Sequence, residues 1–183
     1  MSTFLVAYAS KMGATREIAE VIGAELLAAD HRVSVESAEN VNDVRGYDAV
    51  VLGSAVYLGR WRGEAVRFLR RHAAVLKDKR VWLFHTGPCG REHAGELLDP
   101  PRNVARLAER IGAAPPMTFG GRLEPQTAKG FLARRMAAGP MAGDYRDWDA
   151  IRRWARTVAG PRGSATRGST TMMRRARTDA DRD

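Results

Sequence analysis

The stretch from residue 4 to residue 27, FLVAYASKMGATREIAEVIGAELL, decides the fold that the sequence predicts. Residues 4–8 form a short apolar run, typical of a strand that is buried on both faces. Apolar residues recur at positions 18, 21, 22 and 26, the spacing of the buried face of an amphipathic helix. Residues 9–15 are therefore the turn between a strand and a helix, where proteins with parallel sheets bind their ligands.

The residues of this turn indicate a phosphate site. Ser10 and Thr15 supply hydroxyl groups, and Gly13 lets the backbone approach a ligand closely. The helix that follows presents unpaired N–H groups and the positive end of its dipole, which together bind a phosphate without a metal. Lys11 and Arg16 add positive charge nearby. The alternative interpretation is an ordinary strand-to-helix turn in which Thr15 is the helix N-cap.

The rest of the chain continues the alternation of strands and helices. Four further runs have the length and composition of strands: 32–36, 48–52, 81–84 and 117–119. Three segments have helical spacing of their apolar residues: 63–76, 104–111 and 148–158. Five strands separated by helices predict an α/β fold, a three-layer, doubly wound, five-stranded parallel sheet with the strand order 2-1-3-4-5.

Two further loops join the first at one edge of this predicted sheet. Residues 53–61 carry Gly53 and Gly59, with Tyr57 and Trp61 near the tip. Residues 85–90, HTGPCG, follow the fourth strand. In the order 2-1-3-4-5 the loops after strands 1, 3 and 4 converge. A ligand with one phosphate and a large planar ring would use all three loops, and FMN fits this description.

The residues exclude several other kinds of site. The chain has neither a nucleotide triphosphate P-loop nor the G-x-G-x-x-G fingerprint of dinucleotide sites. Phosphoryl-accepting receiver domains need carboxylates where this chain has residues 8–10 and 53–54, which are not acidic. A small cysteine phosphatase would need arginine at Gly95. The four histidines are scattered, so no metal site is expected, and Cys89 alone rules out an internal disulfide and is interpreted as a passive loop thiol.

Charge and length limit the functional classes. The 183 residues favour one domain, and the net charge of +9 indicates an anionic partner, unless it reflects a compositional bias toward arginine. Residues 160–183 are predicted to be a disordered basic tail. No segment is long and apolar enough for a membrane span, and no secretory signal begins the chain, so a cytoplasmic location is expected.

Residues 8–19 and 48–57 resemble the flavodoxin family. Members of that family usually carry a Ser/Thr-x-Thr-Gly-x-Thr phosphate loop, which Ser10, Gly13 and Thr15 match while Met12 replaces the middle threonine. The resemblance covers roughly residues 3–159 in the order of elements. It implies a flavodoxin-like FMN-binding domain over residues 1–159, with FMN as the cofactor.

The resemblance also implies which residues contact FMN. The phosphate is expected at Ser10, Lys11, Met12, Gly13, Ala14 and Thr15. The second loop is expected to contribute Ser54, Ala55, Val56, Tyr57, Leu58 and Gly59. The third loop is expected to contribute Thr86, Gly87, Pro88 and Cys89. Tyr57 or Trp61 would stack on the isoalloxazine, with the Leu58–Gly59 peptide near its N5. No side chain is expected to be catalytic, because the flavin carries the chemistry.

A narrower resemblance is to the menaquinone-dependent protoporphyrinogen oxidases of haem biosynthesis. It is carried by residues 10–19, 53–76, 121–123 and 147–156, with 121–144 at the place of their insertion. In those enzymes FMN takes electrons from protoporphyrinogen IX and passes them to a membrane quinone. The resemblance implies a porphyrinogen or another small redox substrate and a quinone as partners.

Residues 129–136, KGFLARRM, suggest how such a partner docks. Trp61, Lys129, Arg134 and Arg135 are the expected substrate or membrane-docking residues, because cations beside apolar side chains suit an anionic lipid surface or porphyrin propionates. A solvated lid is the alternative. A flavodoxin-type electron carrier, a quinone reductase and a non-catalytic binding module remain as alternative functions. The tail has no aromatic interleaving, so sequence-specific nucleic-acid binding is not expected.

Overall fold

A parallel β-sheet lies at the centre of the molecule. The computed structural model describes residues 1–87, 98–126, 131–139 and 142–160 of the chain. The strands of the sheet are β1 (Thr3–Ala9), β2 (Arg32–Ser37), β3 (Ala49–Tyr57), β5 (Arg80–Thr86) and β6 (Met117–Phe119). A two-residue strand between two of them, β4 (Arg60–Trp61), pairs antiparallel with the end of β3.

The strand order is β2-β1-β3-β5-β6, and each neighbouring pair in this order is parallel. Because β4 is an added antiparallel strand off this path, the five parallel strands follow the predicted order 2-1-3-4-5. The predicted fold class, an α/β fold with a five-stranded parallel sheet, is confirmed.

Helices cover both faces of the sheet. The described helices are α1 (Ala14–Ala28), α2 (Gly63–Leu76), α3 (Arg102–Arg110), α4 (Phe131–Ala137) and α5 (Trp148–Ala159). Buried residues of α1 and α5 form one apolar cluster with the sheet, and buried residues of α2 and α3 form another. The sheet is therefore the middle layer of three, as the sequence predicts.

Strand β1 shows how one segment serves both layers. Leu5 belongs to the cluster that contains Phe68 of α2, whereas Phe4 and Val6 belong to the cluster that contains Ile18 of α1. Successive side chains of a strand point to opposite faces, so a strand covered on both sides is apolar throughout. This is why the apolar run at the start of the sequence predicts a central strand.

Strand β3 is longer than the sequence predicts. Its predicted range was 48–52, but the strand continues to Tyr57. The backbone of residues 53–57 stays in register with its neighbours, pairing Ser54 with Ala9 and Ala55 with Thr86. The predicted loop at 53–61 is corrected to a strand end and a hairpin, because both neighbouring strands extend far enough to pair with it.

Residues between β6 and α5 contain a second, two-stranded sheet. Strands β7 (Arg122–Leu123) and β8 (Gly143–Asp144) pair antiparallel, and α4 lies between them in the chain. The interpretation of residues 121–144 as an insertion and of 160–183 as a disordered tail stays a prediction, and residues 161–183 lie outside the described part. None of the described helices combines the length and apolar character needed to cross a membrane.

We expect Gly53→Ala to lower the free energy of unfolding by about 1–3 kcal/mol, because a Cβ at this position would overlap the ring of Phe84. Gly46→Ala is the matched control, since no atom lies within 4 Å of a Cβ built there. Urea unfolding followed by circular dichroism measures both. Equal stability of the two variants would contradict the close packing of β3 on β5.

Candidate functional site

The first turn of α1 presents free backbone donors. The helix begins after Gly13, whose φ of 93° is one that glycine adopts without strain. The N–H group of Glu17 is the first to bond within this turn, to the Gly13 carbonyl at 3.0 Å. In the described part of the chain, the N–H groups of Ala14, Thr15 and Arg16 have no acceptor. Three donors at the positive end of a helix dipole form an anion site.

Ser10 adds a fourth donor to this group. Its Oγ accepts a hydrogen bond from the Gly13 N–H at 3.0 Å, which leaves the hydroxyl proton free to be donated. The backbone and hydroxyl donors of this turn are the chemistry that a phosphate requires. Lys11 points elsewhere, with its Nζ 4.3 Å from the centre of the Tyr57 ring.

Thr15 has a different environment from the one expected. Thr15 is 1% exposed, and its Oγ1 lies 2.8 Å from Oγ1 of Thr86. The N-cap of α1 is Gly13, and no side chain caps the helix, so the interpretation of Thr15 as N-cap is wrong. The Thr15 hydroxyl joins the first loop to the end of β5, and its use by a phosphate stays a prediction.

The second loop is a tight hairpin between β3 and β4. Leu58 and Gly59 form its two-residue turn, with φ values of 50° and 68°. Two positive φ values in succession are typical of a type I′ turn. The left-handed conformation is strained for leucine, and yet Leu58 is 71% exposed, so packing does not explain it. Tyr57, half-buried beside it, is the aromatic side chain nearest the tip.

Two predicted residues of this loop are structural. Ser54 is completely buried, where its Oγ accepts from the N–H of Arg62 and donates to the Ala55 carbonyl, both at 3.0 Å. Trp61 is 6% exposed, and its Nε1 donates to Nδ1 of His85 at 3.2 Å. Both side chains are thus used inside the protein, Ser54 completely buried and Trp61 nearly so. Cofactor binding by Ser54, and stacking or docking by Trp61, stay predictions.

The third loop lies beside the second. The N–H group of Gly87 donates to the Phe119 carbonyl at 3.0 Å, and a Cβ on Gly87 would lie 3.6 Å from Cβ of Val56. The ends of β3 and β5 are thus adjacent, while Thr86 contacts the first loop through Thr15. Three predicted loops converge at one edge of the sheet. Pro88 and Cys89 lie outside the described residues.

Comparison with known protein families gives the family of the chain. The sequence model of a family described as flavodoxin domain matches residues 5–146. The chain belongs to the flavodoxin domain family. FMN is the cofactor of this family, so the predicted cofactor is confirmed at the family level. The match does not show the narrower resemblance to protoporphyrinogen oxidases.

Solved structures agree with this flavodoxin domain in fold. A flavodoxin from Archaea aligns with a TM-score of 0.58 and 16% identity, over 86% of this chain and 96% of its own. Flavodoxin 2 from Bacillus cereus aligns with a TM-score of 0.57 and 22% identity, over the same shares. Rubredoxin oxygen:oxidoreductase from Desulfovibrio gigas aligns with a TM-score of 0.59 and 13% identity, over 86% of this chain and 35% of its own. A comparison with curated proteins finds no match.

Sequence reasoning missed a charged cluster in this flavodoxin domain. It lies next to residues 10–16, the phosphate turn. Arg122 donates from Nη2 and Nη1 to the two carboxylate oxygens of Glu17, at 2.7 and 3.1 Å. Arg146 donates to Glu17 at 2.6 Å and to Asp144 at 2.7 Å, and its guanidinium lies over the ring of Trp148. Glu17 follows Gly13 by four residues, so this cluster borders the anion site.

Charge within the cluster sets the ionisation of Glu17. Burial alone would raise the pKa of this carboxyl, but the hydrogen bonds and charges of Arg146 and Arg122 outweigh burial and hold the pKa below its usual range. In the sequence, Arg122 and Arg146 lie 105 and 129 residues away from Glu17. No local spacing could have identified the pairing.

Apart from Trp61 in β4, the predicted docking residues lie on α4 or outside the described residues. Phe131 is 83% exposed at the start of α4, and Arg134 and Arg135 are exposed on the same helix. Neither arginine joins the ion pairs formed within the described ranges. Lys129 lies outside those ranges. Docking by these residues stays a prediction.

His85 connects the second and third loops beneath the site. Because the indole N–H of Trp61 can only donate, Nδ1 of His85 must accept, and the imidazole proton belongs on Nε2. That nitrogen lies 2.8 Å from Oγ1 of Thr118. The side chain is completely buried, and burial lowers its pKa from 6.5 to about 4. A neutral histidine therefore fixes both hydrogen bonds.

We expect His85 to make stability depend on pH. Below about 6.5 the unfolded chain takes up a proton that the native histidine resists until about 4, so stability is lost as the pH falls through this window. The contribution lost is about 3 kcal/mol. Urea unfolding at pH 7 and pH 4 measures it as the difference between wild type and His85→Gln. A difference that stays constant between the two pH values would contradict a buried neutral histidine.

We expect Leu58→Asn to raise the free energy of unfolding by about 1 kcal/mol, because asparagine adopts the left-handed conformation with less strain. Leu27→Asn is the control, since Leu27 is also exposed but lies in α1. That change should lower stability, because asparagine is the poorer helix former. Thermal unfolding of the two variants compares them, and a Leu58→Asn protein no more stable than wild type would refute strain at the hairpin tip.

Proposed function

We propose that this flavodoxin domain binds FMN across its three loops and acts as an electron-transfer protein. The observation that carries the proposal is the set of free N–H groups at Ala14, Thr15 and Arg16, joined by the Ser10 hydroxyl. FMN has a phosphate that suits these donors and a ring that suits an aromatic face at the same edge. When bound, FMN supplies one-electron and two-electron redox chemistry.

The protein's part is to hold and orient the cofactor. The first turn of α1 holds the phosphate by its backbone donors. In this structure Nζ of Lys11 lies 4.3 Å from the centre of the Tyr57 ring. If Lys11 moves away, the Tyr57 ring would be free to stack on one face of the isoalloxazine. The exposed hairpin tip at Leu58 and Gly59 and the backbone at Thr86 and Gly87 would hold the flavin ring between the second and third loops.

Surface charge bears on the partner of this electron transfer. The chain carries 30 Lys and Arg against 21 Asp and Glu, so its field attracts anions. This balance favours an acidic protein partner or an anionic small molecule. The field of a basic carrier would repel basic partners, which limits the proteins with which it could exchange electrons quickly.

A second candidate function is the oxidation of protoporphyrinogen IX with menaquinone as acceptor. The observation that favours it is α4, where Phe131, Arg134 and Arg135 are all exposed on one helix. Guanidinium groups suit the propionates of a porphyrinogen, and a cationic helix with an exposed aromatic suits the anionic membrane that holds the quinone. Electrons would leave the porphyrinogen for the flavin and then pass to the quinone.

The visible spectrum of the purified protein, after addition of FMN and removal of the excess, tests the proposal. We expect bound-flavin bands, reduction under anaerobic conditions, and reoxidation by an electron acceptor. Oxidation of protoporphyrinogen IX together with reoxidation by menaquinone would establish the enzyme. If neither reaction occurs, an electron carrier remains as the proposed function. A colourless protein that leaves FMN fluorescence unquenched would contradict the proposed function.

Flotation with anionic and neutral vesicles tests the membrane contact separately. Wild type should float with anionic vesicles, and the double change Arg134→Ala and Arg135→Ala should abolish this. The matched control is Arg106→Ala with Arg110→Ala, which removes the same charge from α3, where both arginines are also exposed. Equal flotation of the two double variants would exclude α4 as the membrane contact.

A further inference from the structure

Arg122 lies beside the phosphate turn although it comes from the far end of the fold. Its Nη2 is 3.5 Å from the position of a Cβ built on Gly13, the residue that opens α1. The arginine belongs to β7, which follows the last strand of the parallel sheet. Its side chain is 15% exposed, so it is held against the turn and not free in solvent.

The guanidinium of Arg122 has donors to spare. A guanidinium has five N–H donors, and Glu17 takes one from each terminal nitrogen of Arg122. The buried Nε makes no hydrogen bond, although the Glu124 carboxylate lies 3.7 Å from it. A second anion placed over the first turn of α1 could therefore bond to Arg122 without displacing Glu17.

Glu17 brings a negative charge close to the first turn of α1. Its carboxylate lies 3.5 Å from the same Cβ position on Gly13, so it would repel a phosphate held by the N–H groups next to it. Arg146 is committed to Glu17 and Asp144 and is 3% exposed. Arg122 is the member of the cluster with both the position and the spare donors to face a phosphate.

We propose that Arg122 is a direct ligand of the FMN phosphate, shared between that phosphate and Glu17. This inference rests on the proposed function, and it deepens it by naming a residue outside the three loops. The segment after the last parallel strand would then take part in selecting the cofactor. A flavin with a phosphate would be preferred over one without it, partly through the charge of a residue that lies outside the three loops.

Fluorescence titration with FMN and riboflavin at 0.15 M salt tests the role of Arg122. Arg122→Ala should weaken FMN binding by roughly 10- to 100-fold, the range of a charge-assisted hydrogen bond, and change riboflavin binding by less than about threefold. Arg156→Ala is the matched control, since Arg156 pairs with Glu25 at the other end of α1. It should alter neither affinity by more than about threefold.

A double-mutant cycle separates direct contact from screening of Glu17. In Glu17→Gln the repulsive charge is absent, so removing a residue that only screens this charge would not change FMN affinity. Adding Arg122→Ala to Glu17→Gln should still weaken FMN binding by about tenfold if Arg122 contacts the phosphate. Equal FMN affinity of Glu17→Gln with and without Arg122 would overturn the proposal while leaving FMN binding itself intact.

Circular dichroism confirms that each variant is folded before it is titrated. Arg122→Gln replaces Arg122→Ala if the alanine variant does not fold, because glutamine can still donate to Glu17 but carries no charge. Wild type that binds neither flavin would contradict the proposed function and this inference together. Wild type that binds both flavins equally would contradict the role of Arg122 and leave flavin binding standing.

Discussion

The hydrogen bond between Thr15 and Thr86 is the contact on which the candidate site depends. It joins the start of α1 to the end of β5 across 71 residues of chain, and both hydroxyls are buried. Replacing either hydroxyl with a methyl group would leave the other without its partner inside the protein, which is costly. The phosphate turn and the third loop are therefore held as one unit, and the distance between the two parts of the site is set before a ligand arrives.

Beneath this unit the polar groups satisfy one another. Ser54 holds the start of α2, while Trp61, His85 and Thr118 form a chain of hydrogen bonds between strands. At the rim, by contrast, Leu58 is exposed and strained, and Lys11 rests on Tyr57. A fixed base with an adaptable rim is what a site needs when a flat ring must enter between loops. The electron-transfer proposal relies on this division, since the base would position the ring and the rim would meet the partner.

Much of the fold could be predicted because its signals are local. Apolar runs of strand length and apolar residues at helical spacing give the elements, and the rule of right-handed crossovers gives the strand order. The convergence of the three loops follows from that order alone. The composition of residues 10–15 then indicates a phosphate turn, because a glycine and hydroxyl residues lie directly before a helix that follows a buried strand.

What the sequence could not predict are the contacts between distant parts of the chain. Trp61 near a loop tip looks the same in sequence whether its ring faces solvent or packs against His85, and the choice is made by strand β4 folding back on β3. Thr15 likewise finds its partner on another strand. The pairing of Glu17 with Arg122 and Arg146 depends on where the segment after β6 returns to the sheet edge. These are products of the tertiary fold, and no spacing rule contains them.

The central claim is that the free N–H groups at the start of α1 hold the phosphate of a flavin. Amide chemical shifts of the isotope-labelled protein, recorded with FMN and then with riboflavin, test it most directly. The account predicts that FMN shifts the amide signals of Ala14, Thr15 and Arg16, whereas riboflavin shifts chiefly those of the hairpin tip at Leu58 and Gly59. Signals of residues 14–16 that do not move with FMN, or that move equally with riboflavin, would contradict it.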